Sequence, residues 1–342
     1  MSYRYIGNKT KLLEEILKHV SMHVNPGDTV VDLMSGTGSV SEAFRVNGYR
    51  VISSDMMTFS KYHSMVRLLA NEYPSFKKIN LGSYENVLNY LNSLDGIKGF
   101  FFNEYSPGGS PLDTLNSRMY FSIENAKKID AINTQIRSWK ELKLLSPMEE
   151  AFLRHSFILA VNKIANIAGT YGHHRSSWNK SSLSPITLQR AEIVSGYSTD
   201  HIVLQGFAEE VSKNIKADLC YIDPPYMKRQ YAANYHLIET IARGDTPEAI
   251  GVSGLRPWRD QYSNFCSKVK VRDSFRKIFL EMQCSKFLIS YSEDGLLKKD
   301  QLISFLKEFG KVECQEINYK RFKSNNSMLK SSFMEYIFYL ET

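Results

Sequence analysis

Asp223-Pro224-Pro225-Tyr226 is the stretch of this chain best suited to chemistry on a planar base. Two successive prolines fix two backbone φ angles and remove two N–H groups, so the turn is rigid. The Asp223 carboxylate and the Pro224 carbonyl then form a fixed pair of acceptors. Such a pair suits the two hydrogens of an exocyclic amine, whose lone pair is otherwise delocalised into the ring. Held this way, the amine nitrogen moves toward sp³ geometry and can attack a sulfonium methyl group in line. Tyr226 adds a ring for stacking, worth about 1–3 kcal/mol per base. That offsets much of the cost of unstacking a duplex base, about a few kcal/mol, and phosphate contacts must supply the rest. Alone, the tetrapeptide is equally a stiff surface turn. Its place after the apolar run 219–222 and downstream of a glycine turn favours the chemical reading.

That glycine turn is Asp32-Leu33-Met34-Ser35-Gly36-Thr37-Gly38. Glycines at the carboxyl end of a strand let the backbone approach a ligand closely. Asp55 ends the next strand, about 20 residues on, where a carboxylate can accept from two ribose hydroxyls. A dinucleotide fingerprint wants a third glycine near position 41, which is Ser41 here. Ser41 is expected to help open the following helix. S-adenosylmethionine, with its cationic tail beside an acidic residue, fits better than a pyrophosphate, although the turn alone suits many Rossmann-like proteins.

The elements that position these residues read as α/β. Residues 10–24 carry apolar side chains at helical spacing and stop at Asn25-Pro26-Gly27. Residues 29–33 and 49–54 are short β-branched strands of the buried, parallel kind, with helices expected over 40–46 and 58–73. Strand, glycine turn, helix, strand and acidic residue form the βαβ grammar of a doubly wound sheet. That grammar lapses over residues 74–199, where long helical patterns (117–143 and 147–168) and Gly/Ser-rich loops take over. Strands resume at 201–204, 218–222, 286–290, 312–319 and 333–340, with a helix over 299–309. One sheet built from residues 1–73 and 200–342, interrupted by a mainly helical insertion, is the economical organisation.

Composition excludes several classes. With 342 residues, 43% hydrophobic, the chain can build a core without disulfides or metal. No apolar run approaches the roughly 18–20 residues needed to cross a bilayer, and the first residues lack the order of a signal peptide. A soluble cytoplasmic protein with no membrane partner is the expectation. Cys220, Cys266, Cys284 and Cys314 form no zinc spacing, and His173 and His174 have no Glu or Cys at ligand spacing, so no metal is expected. The net charge of +7 is compatible with a polyanionic partner without requiring one.

Taken in order, these motifs resemble the Dam-like, alpha-group adenine-N6 DNA methyltransferases, many of which serve restriction–modification systems. The resemblance runs along essentially the whole chain. Tyr5-Ile6-Gly7-Asn8-Lys9 looks like the group's N-terminal cofactor motif, Asp32 to Val40 its glycine motif, and Asp223 to Tyr226 its catalytic motif. The resemblance implies a Rossmann-like, seven-stranded methyltransferase sheet, S-adenosylmethionine as cofactor, double-stranded DNA as substrate and a flipped-out adenine. It implies Tyr5, Lys9, Asp32, Ser35, Gly36, Gly38, Asp55 and Asp223 around the cofactor, and a target-recognition role for 74–199. A cognate restriction endonuclease encoded nearby is a further implied partner, in a bacterial or phage-encoded system acting on the nucleoid. A monomer suffices for a catalyst that docks alone on one site. Two departures stand out: Gly206 where the group often has Asp, and Met34-Ser35 where a Phe-Ala pair is usual.

Within the insertion, Tyr171, His173, His174, Arg175, Trp178 and Lys180 mix cations and aromatics in one loop. The choice there is between DNA contact, with Arg175 reading a base edge, and a solvated loop. Arg321, with Lys320, Lys323 and Lys330, is a candidate phosphate contact or an ordinary solvated run. Tyr231, Asn234, Tyr235 and His236 either line the base pocket or pack. Rival readings keep the chemistry on cytosine N4 or an RNA base, or keep the fold as a non-catalytic DNA-binding subunit. A nicotinamide enzyme leaves the Asp-Pro-Pro-Tyr turn unexplained.

Overall fold

The structure is a computed structural model and describes residues 5, 7, 9–114, 116–320 and 332–342. Two compact units emerge. One comprises residues 7–69, 196–231 and 261–342, and the other residues 1–6, 70–195 and 232–260.

The first unit holds the sheet. Its strands are β1 (Thr29–Asp32), β2 (Arg50–Asp55), β3 (Ile202–Gln205), β4 (Leu219–Ile222), β5 (Lys286–Ser292), β6 (Lys311–Lys320) and β7 (Ser332–Glu341), in the order β3-β2-β1-β4-β5-β7-β6. The first five are mutually parallel, and β7 runs antiparallel to both β5 and β6. The side-chain period of two explains why both faces are apolar. Val30, Val51, Leu219, Tyr221 and Leu288 point into one core with Leu12, Ile16, Val20, Val40 and Phe44. Val31, Ile52, Cys220, Ile222 and Ile289 point into the other with Phe275, Ile278, Phe279, Leu302 and Phe305. The short helical turn Thr10–Leu12 and helices Leu13–Ser21 and Ser39–Val46 supply the first set, and Val271–Glu281 and Lys299–Leu306 the second. The helix at 271–281 is an addition to the sequence reading.

The parallel order has one consequence for chemistry. Asp32, Asp55 and Asp223 each end or follow a strand of the same direction, so their carboxylates share the carboxyl edge of the sheet. β7, running the other way, brings its early residues to that edge, and Glu335 pairs opposite Ser292 at the end of β5.

The second unit is mainly helical, built on Ile123–Glu141 and Pro147–Ile164 with Tyr84–Ser93, Phe100–Tyr105 and His236–Arg243. Ser146 caps the second of these with a full capping box, its hydroxyl taking the Glu149 N–H while Glu149 reaches back. Residues 232–260 belong to this unit, although the sequence reading grouped them with the sheet. Buried Arg154 ties them in, donating to Asn133 Oδ1 at 2.6 Å and to the Ile241 carbonyl at 2.7 Å. Among the described residues no helix is long and apolar enough to cross a membrane.

Phe44 is fully buried and meets the edges of Tyr49 and Tyr221. We expect Phe44→Ala to cost about 3–5 kcal/mol in chemical denaturation; a loss under about 1 kcal/mol would mean this face of the sheet does not depend on it.

Candidate active site

The glycine turn is held from both sides of its backbone. Gly36 and Gly38 have φ of 51° and 74°, in the left-handed region that other residues resist. Asp55 Oδ2 accepts the Gly36 N–H at 2.8 Å, while Oδ1 accepts the Met57 N–H at 2.8 Å. Beneath the turn, Ser41 does not cap its helix; its hydroxyl donates to Asp32 Oδ2 at 2.6 Å. Ser53, Ser64 and Ser35 continue a buried line of hydroxyl contacts from there, at 3.1, 2.9 and 3.2 Å. Burial pushes the Asp32 carboxyl up to about 7 against the Ser41 hydrogen bond, with the Asp223 and Asp55 charges adding to the rise.

At Gly206, where the resemblance expects an acidic side chain, an added Cβ would lie 2.9 Å from Val211 Cγ2. No side chain fits there unless Val211 moves. Its neighbour Gln205 is exposed and donates to Thr58 Oγ1 at 3.1 Å.

The Asp-Pro-Pro-Tyr turn follows β4 directly. Behind it, Gln230 and Ser263 exchange two hydrogen bonds, of 3.0 and 2.8 Å, which pin the chain leaving the turn. Lys9 is the centre of the charge here. It is only 3% exposed, with Nζ 3.2 Å from Asp223 Oδ1 and 3.4 Å from Glu335 Oε2. Burial works against its charge, yet Asp223 and then Glu335 hold its pKa well above the usual lysine value. Burial raises Asp223, with Lys9 opposing, and pushes Glu335 up to about 7. Asp223 Oδ1 nevertheless accepts no aligned hydrogen bond among the described residues. An acceptor with a cation beside it and a free lone pair suits an incoming N–H.

Tyr226 is 9% exposed, its ring 6.0 Å from Tyr291 and 5.6 Å from the Lys9 ammonium. It is a packed ring rather than an open platform, and burial keeps its hydroxyl protonated. Pro224 is buried and Pro225 half-buried. Lys9 likewise lies between two carboxylates instead of at an open cofactor surface. Glu335 escaped the sequence reading altogether.

In the helical unit, Tyr5 stacks on Tyr235 at 4.8 Å between centroids. Tyr171 must leave the set of DNA-contact candidates, because it is fully buried. Its carbonyl accepts from the Tyr120 hydroxyl at 2.7 Å and from His236 Nε2 at 3.0 Å, and Asn162 Nδ2 donates to its hydroxyl at 3.2 Å. His236 packs there too, and burial lowers its pKa to about 3, so it is neutral. By contrast His173, Arg175 and Lys180 are exposed, and His174 and Trp178 are half-buried. Arg321, Lys323 and Lys330 lie outside the described residues. Among the described residues no cluster of three His, Cys, Asp or Glu side chains is placed to hold a metal ion.

Sheet order, glycine turn and acceptor turn together define a Rossmann-like α/β protein of the methyltransferase kind. The chain belongs to the D12 class N6 adenine-specific DNA methyltransferase family, whose model matches residues 5–305. The likeness read from the motifs is borne out. The chain is 35% identical, over 99% of its length, to modification methylase StsI of Streptococcus sanguinis and to type II methyltransferase M.FokI of Planomicrobium okeanokoites. It spans about half of each of these two relatives, 52%. Type II methyltransferase M.NlaIII of Neisseria lactamica is 34% identical over 98% of both chains.

Asp32 and Glu335 hold protons in the folded chain at pH values where an unfolded chain has released them. Their contribution to stability is therefore complete below the ordinary carboxylate values and is lost as pH rises through about 7. The thermal midpoint of Asp32→Asn should vary less between about pH 4 and 7 than that of the wild type. An unchanged pH dependence would contradict the assignment.

Proposed function

We propose that the protein transfers a methyl group from S-adenosylmethionine to N6 of a flipped-out adenine in double-stranded DNA, at a specific site. The observation that carries this reading is the unsatisfied Asp223 oxygen beside the Lys9 ammonium, in a turn stiffened by Pro224 and Pro225. Membership of the N6 adenine-specific family supports adenine as the base.

The donor set fits the cofactor. Gly36 and Gly38 give a backbone without Cβ atoms at the strand edge, Asp55 offers a carboxylate to ribose hydroxyls, and Asp32 and Ser35 complete the turn. Of the residues the N-terminal motif suggested, Lys9 bears on this edge through its ion pairs with Asp223 and Glu335. When bound, S-adenosylmethionine supplies an electrophilic methyl group. Asp223 and the Pro224 carbonyl hold the two amine hydrogens and so localise the nitrogen lone pair. As the new N–C bond forms the amine must shed one proton, and Asp223 is the base placed to take it. Tyr226 offers its ring to the base once it turns away from Tyr291.

Residues 74–199 act as the target-recognition region, with His173, His174, Arg175, Trp178 and Lys180 as its DNA contacts. Relatives named as modification methylases support a place in a restriction–modification system, with a cognate endonuclease as partner. The protein works as a monomer in the cytoplasm.

Asp223→Ala should lower methyl transfer to duplex DNA by about a hundredfold to a thousandfold or more. Binding to the same duplex in a gel-shift assay should stay within about threefold, since one acceptor contact is lost among many phosphate contacts. Turnover of the variant near that of the wild type would sink the mechanism.

A further inference from the structure

Leu112 and Val252 are held out in water, 95% and 71% exposed, on two loops of the helical unit that are fastened to each other. The residue after Leu112 and the residue before Val252 make the join: Asp113 Oδ2 accepts the Gly251 N–H at 2.5 Å. Beneath them the buried Arg118 pairs with Glu104 and Asp113 and donates to the Gly251 carbonyl at 2.9 Å. Glu104 also takes the Leu112 N–H at 3.3 Å, and the Tyr105 hydroxyl donates to the Gly254 carbonyl at 2.6 Å. Gly251 and Gly254, with φ of 72° and 63°, turn the chain back so that Ile250 and Leu255 exchange backbone hydrogen bonds of 2.9 and 2.8 Å. A buried ion cluster adds little stability over apolar packing of the same volume. Here it fixes two surface loops whose outermost side chains lie outside the core.

We infer that Leu112 and Val252 form an apolar wedge that enters the base stack of the target DNA and fills the gap left by the departing adenine. This rests on the function proposed above. Apolar side chains inserted between base steps unstack a duplex, and a base must leave the stack before an enzyme can reach its amine. The charge around the wedge suits a duplex. The Ser253 hydroxyl, next to Val252, donates to the Gly172 carbonyl at 2.7 Å and lies 3.3 Å from His173 Nδ1. That ties the wedge to the loop carrying the exposed His173, Arg175 and Lys180. Cations there can hold phosphates while the apolar tip meets bases. The anchoring supplies stiffness, since a loop ordered beforehand loses less freedom on binding than a loose one. The DNA-facing surface thus takes in residues 250–255, beyond the region 74–199.

The probe is a short duplex with the sequence that the protein modifies in host DNA or, should it modify nothing, the sequence that it enriches from a random duplex pool. The variants are Leu112→Ala, Val252→Ala and the two together. Both side chains are exposed, so the thermal midpoint should stay within about 2 °C of wild type. The first readout needs no methyl transfer: the fluorescence of 2-aminopurine at the target adenine, or at each adenine in turn where none is modified. It rises when the base leaves the stack. At saturating protein that rise should fall about tenfold in the double variant.

The second readout is the single-turnover rate of methyl transfer. It should fall about tenfold on the paired duplex and return to within about twofold of wild type when the target adenine is mispaired, because a mispaired base leaves the stack at lower cost. Unchanged fluorescence and rate in the double variant overturn the inference, and are the result expected of a patch that meets another protein. An equal loss on paired and mispaired duplexes overturns it too, since it marks a contact that does not help the base leave. A wild-type protein that methylates, with variants that flip the base as well as it does, overturns the inference alone. A wild-type protein that flips the base but methylates nothing, with the fluorescence lost in the double variant, overturns the proposed function and leaves the wedge standing. A wild-type protein that leaves the 2-aminopurine stacked overturns both.

Discussion

A lysine ammonium buried between two carboxylates is the constraint around which this site is arranged. Lys9 stays charged in the interior only because Asp223 and Glu335 flank it, and each carboxylate is tolerated there only because Lys9 is present. Remove Lys9 and both carboxylates are left without a buried cation, whereas removing either carboxylate leaves Lys9 paired with the other. Such a cluster has to be delivered by rigid elements. Asp223 comes from a strand end stiffened by two prolines, Glu335 from the middle of a sheet, and Lys9 from the residue preceding the short helical turn Thr10–Leu12.

The sheet order converts this local demand into a fold. Five parallel strands deposit their carboxyl ends on one edge, which gathers Asp32, Asp55 and Asp223 although they are far apart in the chain. The antiparallel β7 is the only strand of the seven whose early residues reach that edge, so a side chain near the C-terminus joins a site otherwise made of strand ends. The same edge holds the glycine turn, fastened by Asp55 through two backbone N–H groups and by the Asp32–Ser41 hydrogen bond below. Two kinds of acidic residue result. Asp55 already holds the turn, whereas Asp223 keeps an oxygen in reserve.

Much of this was legible in the sequence, for physical reasons. All seven strands stand within a residue or two of where the sequence placed them; β1, β4 and β5 were the plainest, because strands buried on both faces leave continuous apolar segments. The glycine turn was legible because left-handed φ values favour glycine, and the acceptor turn because its tandem prolines directly follow a buried apolar strand downstream of that turn. Glu335 was not legible: nothing local marks it, and only the reversal of β7 brings it to Lys9. Tyr171 misled because an aromatic among glycines, histidines and arginines reads as surface, whereas its carbonyl is the shared acceptor of Tyr120 and His236. The grouping of 232–260 with the helical unit likewise depends on contacts such as Arg154 to Ile241 that no composition shift announces.

The central claim is that Asp223 accepts an adenine amine for methylation, and DNA from cells tests it most directly. The protein would be expressed in a host without DNA methylation of its own, and the host genome read by single-molecule sequencing. The account predicts N6-methyladenine at one recurring short sequence. N4-methylcytosine at such a sequence, or unmodified DNA from cells rich in the folded protein, would contradict it.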